Sequence, residues 1–240
     1  MTISTYAERI VILTGAGLSA ESGLGTFRDK DGLWTRYDLN EVATPEGFAR
    51  NPVLVHEFYN ARRANCLDAR PNAAHDALAR LQHSRPSHVT LITQNVDDLL
   101  ERAGAPAVIH MHGQLTRALC AACGYRWNAP RAMDHAAPCP ACNAPATRPD
   151  IVWFGEMPYH MERIDTALQA ADLFVAIGTS GNVYPAAGFV QEAAAHGAQT
   201  LELNLEPSAT VSLFDAARFG RASRIVADWV AEILGAPPPR

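Results

Sequence analysis

Nothing in the chain is apolar for long enough to cross a bilayer, which takes about 20 consecutive apolar residues in a helix. The first nine residues lack the apolar core of a signal peptide, so a cytoplasmic location is expected. Positive charge is not in excess either. The formal net charge is −5, which argues against a specific nucleic-acid surface. Cysteine is sparse: five residues in such a compartment do not suggest a disulfide framework. There is no internal repeat, and residues 120–148 hold too few large apolar side chains for a core of their own. What is present, 240 residues of which 48% are hydrophobic and 19% charged, suits one globular core with a small appendage. No membrane partner is expected, and the chain is expected to act as a monomer.

The most informative stretch is 9–28, RIVILTGAGLSAESGLGTFR. An apolar run, Ile10-Val11-Ile12-Leu13, leads into Gly15-Ala16-Gly17 and then Leu18-Ser19-Ala20-Glu21-Ser22-Gly23. A short buried strand, a glycine turn and a helix start are what a pyrophosphate site needs. In that reading Gly15 permits the tight turn, Gly17 lets amides approach phosphate oxygens, and Ala20 is the third small residue, packing helix on strand. The pattern G-x-G-x-x-A also fits a plain strand-turn-helix joint. Ser19, Ser22, Thr26 and Arg28 add donors suited to phosphate and ribose oxygens. Gly23 and Gly25 predict that the chain leaves the helix early and loops over a ligand.

Further along, the largely apolar runs at 89–92, 108–111 and 173–177 read as strands, as does Thr200-Leu201-Glu202-Leu203. Helices are predicted over 45–67 (one or two), 73–82 capped by Asn72, 96–102, 164–171, 186–196 and 225–234. Strands alternating with helices predict an α/β protein whose parallel sheet is covered on both faces. The strands end in polar clusters, TGAG, TQNVD, HMHG, GTS and NLE, which should converge on one crevice at the carboxyl edge.

Cys120-x-x-Cys123 and Cys139-x-x-Cys142 are separated by fifteen residues, the spacing of a closed, structural four-thiolate Zn²⁺ site, one ion per chain. Such a metal would supply the stability that this Ala/Pro-rich segment lacks. Cys66 reads as a buried helix residue. His112, at a strand end beside Gly113 and accompanied by Gln94, Asn95 and Asp97, is the candidate general base. His110 should face the other way, and His75 reads as structural. Glu206 could bond ribose hydroxyls. It lies far from the glycine turn, not about twenty residues on, which argues against a hydride-transfer dehydrogenase.

Taken together, Gly15-Ala16-Gly17-x-Ser19-x-x-Ser22-Gly23 with Phe27-Arg28, Thr93-Gln94-Asn95-x-Asp97, His112-Gly113, the four cysteines, Phe154-Gly155-Glu156, Gly178-Thr179-Ser180 and Asn204-x-Glu206 resemble the sirtuins, NAD-dependent protein-lysine deacylases, over nearly the whole chain. The resemblance implies a Rossmann-like NAD-binding domain (1–28, 72–116 and 149–240). It also implies a small domain joining a helical insertion (29–71) to the zinc module (117–148). NAD would serve as co-substrate and acyl-lysine proteins as partners. The implied cofactor contacts are Gly15, Ala16, Gly17, Ser19, Ala20, Ser22, Gly23, Thr26, Phe27, Arg28 and Trp34 around the glycine loop. Gln94, Asn95 and Asp97 would lie near the nicotinamide ribose, and Gly178, Thr179, Ser180, Asn204, Glu206 and Ala222 on the adenosine half. His112 and Asn95 are the implied catalytic residues. Val152, Phe154 and Gly155, with the loop around 181–183, would pair with the substrate backbone as an added strand. The implied reaction begins with attack of the acyl oxygen on the nicotinamide ribose and loss of nicotinamide. His112 then acts as base on a ribose hydroxyl, which attacks the imidate intermediate, and water completes the release of lysine and O-acyl-ADP-ribose. A dry pocket protects NAD from hydrolysis.

Tyr59 and Arg62, three apart on a predicted helix, can share a face. A Tyr hydroxyl with an Arg fork suits a carboxylate. By pattern alone the pair is ordinary helix surface. The resemblance makes Tyr-x-x-Arg the class III mark, the bacterial deacetylase/desuccinylase branch, implying removal of acetyl and succinyl, and also malonyl, groups. Thr26 before Phe27 agrees, whereas Gly25 departs from the Pro or Arg of the pattern. The rival readings are a protein ADP-ribosyltransferase using the same NAD site and, more remotely, a zinc-knuckle binding module.

Overall fold

The computed structural model describes residues 7–25 and 37–235. Six strands form one all-parallel sheet: β1 (Ile10–Thr14), β2 (Val89–Thr93), β3 (Val108–His110), β7 (Leu173–Ile177), β8 (Gln199–Asn204) and β9 (Ala216–Phe219). Their order is β3-β2-β1-β7-β8-β9. Thr14 at the end of β1 registers with Thr93 on one side and Ile177 on the other. The order therefore reverses between β1 and β7, and a ligand crevice is expected outside the carboxyl ends at that switch point.

Alternate residues of β1 serve two cores. Ile10 and Ile12 pack with α5 (Ala73–Ser84) and the amphipathic α9 (Ala222–Gly235). Val11 and Leu13 pack with α7 (Met161–Gln169) and α8 (Phe189–Ala195). Helices on both faces are the reason these strands read as unbroken apolar runs. Two of the predicted helices are shorter than their pattern. α6 spans only Leu99–Arg102, because Asp97 turns back to accept the Leu99 amide at 3.1 Å. The stretch 186–196 begins as a 3₁₀ turn before α8.

A second, antiparallel sheet, β5-β4-β6, was not anticipated. It comprises β4 (Gly113–Cys120), β5 (Arg126–Asn128) and β6 (Thr147–Ile151). The expected domain limits at 116/117 and 148/149 fall inside β4 and β6. Pro149 sits within β6, tolerated there because β6 is an edge strand. A third core joins this sheet to α4 (Pro52–Asp68), with Phe58, Tyr59, Cys66, Leu115 and Trp153 buried together. Before α4 come α2 (Leu39–Val42) and α3 (Pro45–Arg50). α3 and α4 each open on a proline and are capped by Thr44 and Asn51 respectively. Among the described residues no helix is long and apolar enough to cross a membrane.

Candidate active site

The glycine turn is shaped first by backbone packing. A Cβ on Gly15 would stand 2.8 Å from the Gly178 carbonyl oxygen, and one on Gly17 only 2.7 Å from the Gly178 Cα. The Gly17 amide donates to that same carbonyl at 2.9 Å, so it is not the amide that reaches a phosphate. α1 (Ala16–Ser19) lasts one turn, gives way to a 3₁₀ turn at Ala20–Ser22, and ends at Gly23 with φ +83°. This matches the early exit read from the sequence. Ala20, however, is exposed on the cleft and packs no helix on a strand, because the helix has already ended.

The β2 turn is stitched to the glycine turn. Asn95 donates its side-chain amide to the Gly15 carbonyl (3.1 Å) and to Ser19 Oγ (3.2 Å). Ser19 is buried and donates to Asp97 Oδ2 at 3.0 Å. Its oxygen also lies 3.3 Å from His75 Nε2. The Asn72 amide donates to His75 Nδ1, so the neutral ring carries its hydrogen on Nε2, facing Ser19. Burial lowers the His75 pKa to about 4 and raises that of Asp97. His75 is thus structural, as its sequence position suggested, but it supports the cofactor turn directly. Ser22 accepts from Asn72 Nδ2 at 3.0 Å and does not line the cleft.

His112 follows β3, and its Nδ1 lies 3.1 Å from the Gln94 carbonyl oxygen. A carbonyl can only accept, so Nδ1 is the donor and Nε2 keeps its lone pair. Burial lowers the His112 pKa, against the Gln94 bond that raises it. Gly113 behind it has φ +80°, and a Cβ there would collide with the Asp150 carbonyl oxygen, so only glycine allows β4 to leave at this angle. His110 does not line the cleft and pairs with the partly exposed Glu101.

These elements open onto one cleft of about 1180 Å³. Gly15, Ala16, Gly17, Ser19, Ala20 and Gly23 line one part. Gln94, Asn95, Asp97 and His112 line the middle. Gly178, Thr179, Ser180, Asn204, Glu206 and Ala222 line the far part, on the β7–β8 side. Thr26, Phe27, Arg28 and Trp34 lie outside the described residues. The Asn204 amide is taken up within the protein: it donates to Thr179 O (2.7 Å) and Glu202 (3.0 Å) and accepts from the Leu205 amide (3.0 Å). It holds two loops together rather than pointing donors outward.

On the opposite wall, Tyr59 and Arg62 of α4 face the cleft with Val152, Phe154 and Gly155. Tyr59 is buried, and Arg62 lies 5.7 Å from its ring centroid. Burial raises the Tyr59 pKa and lowers that of Arg62. The Val152 and Phe154 amides already donate to His112 O and Ala43 O, both at 2.9 Å. The segment is not a strand, and its amides are held instead by two distant parts of the chain, after β3 and after α2. Trp153, not singled out in the sequence, is the buried residue between them, and its indole donates to Tyr59 Oη at 3.0 Å. Its apolar neighbours in sequence hid it as ordinary core.

Away from the cleft, the sulfurs of Cys120, Cys123, Cys139 and Cys142 all lie within 4.8 Å of one another. Two pairs are 3.7 and 3.8 Å apart, close to the roughly 3.8 Å edge of a tetrahedron with Zn–S bonds of about 2.3 Å. The two knuckles repeat each other. Gly124 and Asn143 both adopt positive φ, and each donates its amide at 2.9 Å to the first cysteine's carbonyl. The cluster could hold one zinc ion, with no position left for a substrate.

A doubly wound sheet with its cleft at the switch point, a histidine and a partly buried acid on that cleft, and a four-cysteine module define a dinucleotide-binding α/β protein with a cluster able to hold a structural metal. The chain belongs to the Sir2 family, whose model matches residues 15–185. It is 58% identical over 230 residues to a protein named NAD-dependent protein deacylase from Caulobacter vibrioides, covering 94% of this chain and 97% of that one. A solved Sir2 homologue–NAD complex superposes with a TM-score of 0.88 at 37% identity, covering 96% of this chain and 91% of the other. A solved Sir2 protein bound to an acetylated peptide gives 0.80 at 26% identity, covering 94% and 93%.

Proposed function

We propose that this protein is an NAD-dependent protein-lysine deacylase of the class III branch. The observation that carries the reading is a single cleft shared by the glycine turn, the unprotonated Nε2 edge of His112, distal Glu206 and the Tyr59/Arg62 pair. NAD would lie along the carboxyl edge of the sheet, with Asn95 and Asp97 at its nicotinamide ribose and Glu206 at its adenosine end. The acyl-lysine would enter between that edge and α4. The acyl oxygen displaces nicotinamide. His112 Nε2 then takes the proton of a ribose hydroxyl, which attacks the imidate carbon; the lysine amine is expelled, and one water molecule completes the formation of O-acyl-ADP-ribose. A Tyr hydroxyl and an Arg guanidinium at the end of the acyl channel favour a terminal carboxylate, so succinyl- and malonyl-lysine are substrates alongside acetyl-lysine. We assign the two lobes accordingly: the parallel sheet holds NAD, while α2 to α4 and the cysteine module frame the acyl-lysine.

The test is a competition among acetyl-, succinyl- and malonyl-lysine peptides with labelled NAD. Label should appear in O-acyl-ADP-ribose; label lodged on protein would favour ADP-ribosyl transfer instead. Arg62→Met should cut desuccinylation far more than deacetylation, and equal losses would remove Arg62 from acyl recognition.

A further inference from the structure

The Tyr59 hydroxyl accepts a hydrogen bond from a group that can only donate. The Trp153 indole N–H, which can only donate, reaches its oxygen at 3.0 Å, and the Arg62 guanidinium, also donor-only, lies against its ring. Among the described residues no acceptor is paired with the Tyr59 hydroxyl hydrogen. Trp153 is itself immobilised. Arg148 stacks on its ring with Cζ 3.5 Å from the centroid, and Glu156 accepts the Trp153 amide (2.9 Å) while holding Arg148 through both carboxylate oxygens (2.7 and 2.9 Å). The cation over the ring draws density from the indole and sharpens its N–H as a donor.

We propose that Trp153 is a specificity-determining positioning residue. By occupying the Tyr59 oxygen as an acceptor, it forces the hydroxyl to present its hydrogen to the cleft, so that Tyr59 and Arg62 form a donor-only pocket selective for acyl chains ending in a carboxylate. The inference rests on the acyl-recognition reading above and extends it to a residue that need not touch the acyl group. Burial keeps the phenol protonated, so it remains a donor across the working range. A carboxylate, which only accepts, matches such a pocket. A neutral acetyl group leaves it unused.

Trp153→Phe keeps the ring and removes the N–H. The ratio of kcat/KM for succinyl-lysine to that for acetyl-lysine peptide should fall about tenfold, carried mainly by KM for the succinyl peptide. Tyr59→Phe should lower the same ratio, and the Tyr59→Phe/Trp153→Phe double variant should fall no further, because Trp153 acts through the hydroxyl. Additive losses, or an unchanged ratio in Trp153→Phe while Arg62→Met lowers it, overturn the proposal and leave the acyl reading standing. Unchanged ratios in Arg62→Met and Tyr59→Phe overturn both. A second measurement needs no variant: in the unsubstituted protein with NAD, the Trp153 indole N–H resonance should move downfield on adding succinyl-lysine peptide, and less with acetyl-lysine peptide. Equal or absent shifts count against the proposal.

Discussion

His112 donates from Nδ1 to the carbonyl oxygen of Gln94 at 3.1 Å, and this one bond decides which ring nitrogen can act as a base. Burial keeps the ring neutral to lower pH than an ordinary histidine. The kcat/KM for deacylation should therefore rise with pH through a midpoint below 6.5 and then level off. A midpoint at or above 6.5 would contradict the base assignment. His112→Ala should lower kcat by about 10²- to 10⁴-fold with the circular dichroism spectrum unchanged.

His75 makes the fold itself acid-sensitive. Its folded-state pKa of about 4 lies below the ordinary 6.5, so the unfolded chain binds the extra proton between those values. The stability this neutral, buried histidine contributes is complete above pH 6.5 and is lost as the pH falls towards 4, by about 3 kcal/mol at most. Urea unfolding at pH 7 and at pH 4.5 should show the loss. In His75→Gln that part of the decline should vanish.

The two kinds of glycine in the first turn should respond differently to alanine. Gly17→Ala drives a Cβ against the Gly178 backbone and should destabilise by about 1–3 kcal/mol while raising KM for NAD. Gly23→Ala meets nothing within 4 Å but must hold φ +83°, a loss of about 1–2 kcal/mol with a smaller rise in KM for NAD than Gly17→Ala gives. Thermal midpoints and NAD titrations separate the two. Equal effects on KM would mean that the Gly17–Gly178 approach does not shape the cleft.

Metal analysis should find one zinc per chain. Chelation, or Cys120→Ser, should lower the unfolding midpoint, since residues 120–148 have little core besides the cysteine cluster and Met133. A zinc-free protein of equal stability would end the assignment.

Much of this molecule is written locally. β1 and β7 show as continuous apolar runs because both faces of the sheet are covered, and the Asn72 cap shows because a cap is a short-range device. The four cysteines are legible because a zinc knuckle is defined by spacing along the chain. Two of the edge strands were not legible. β9 is four residues long and half exposed, and β6 carries Pro149 and two charged residues, so neither has the pattern of a buried strand.

The sequence alone determined five strands of the parallel sheet, the glycine turn, the metal ligands and the identity of the candidate base, since each depends on neighbours a few residues away. Only the tertiary structure decided the reversal of strand order at β1, the backbone contact that makes Gly15 and Gly17 necessary, and the pairing of Tyr59 with Trp153, 94 residues apart. Those features depend on segments meeting in space, and the hydrophobic pattern that buries a segment does not specify what it will be buried against.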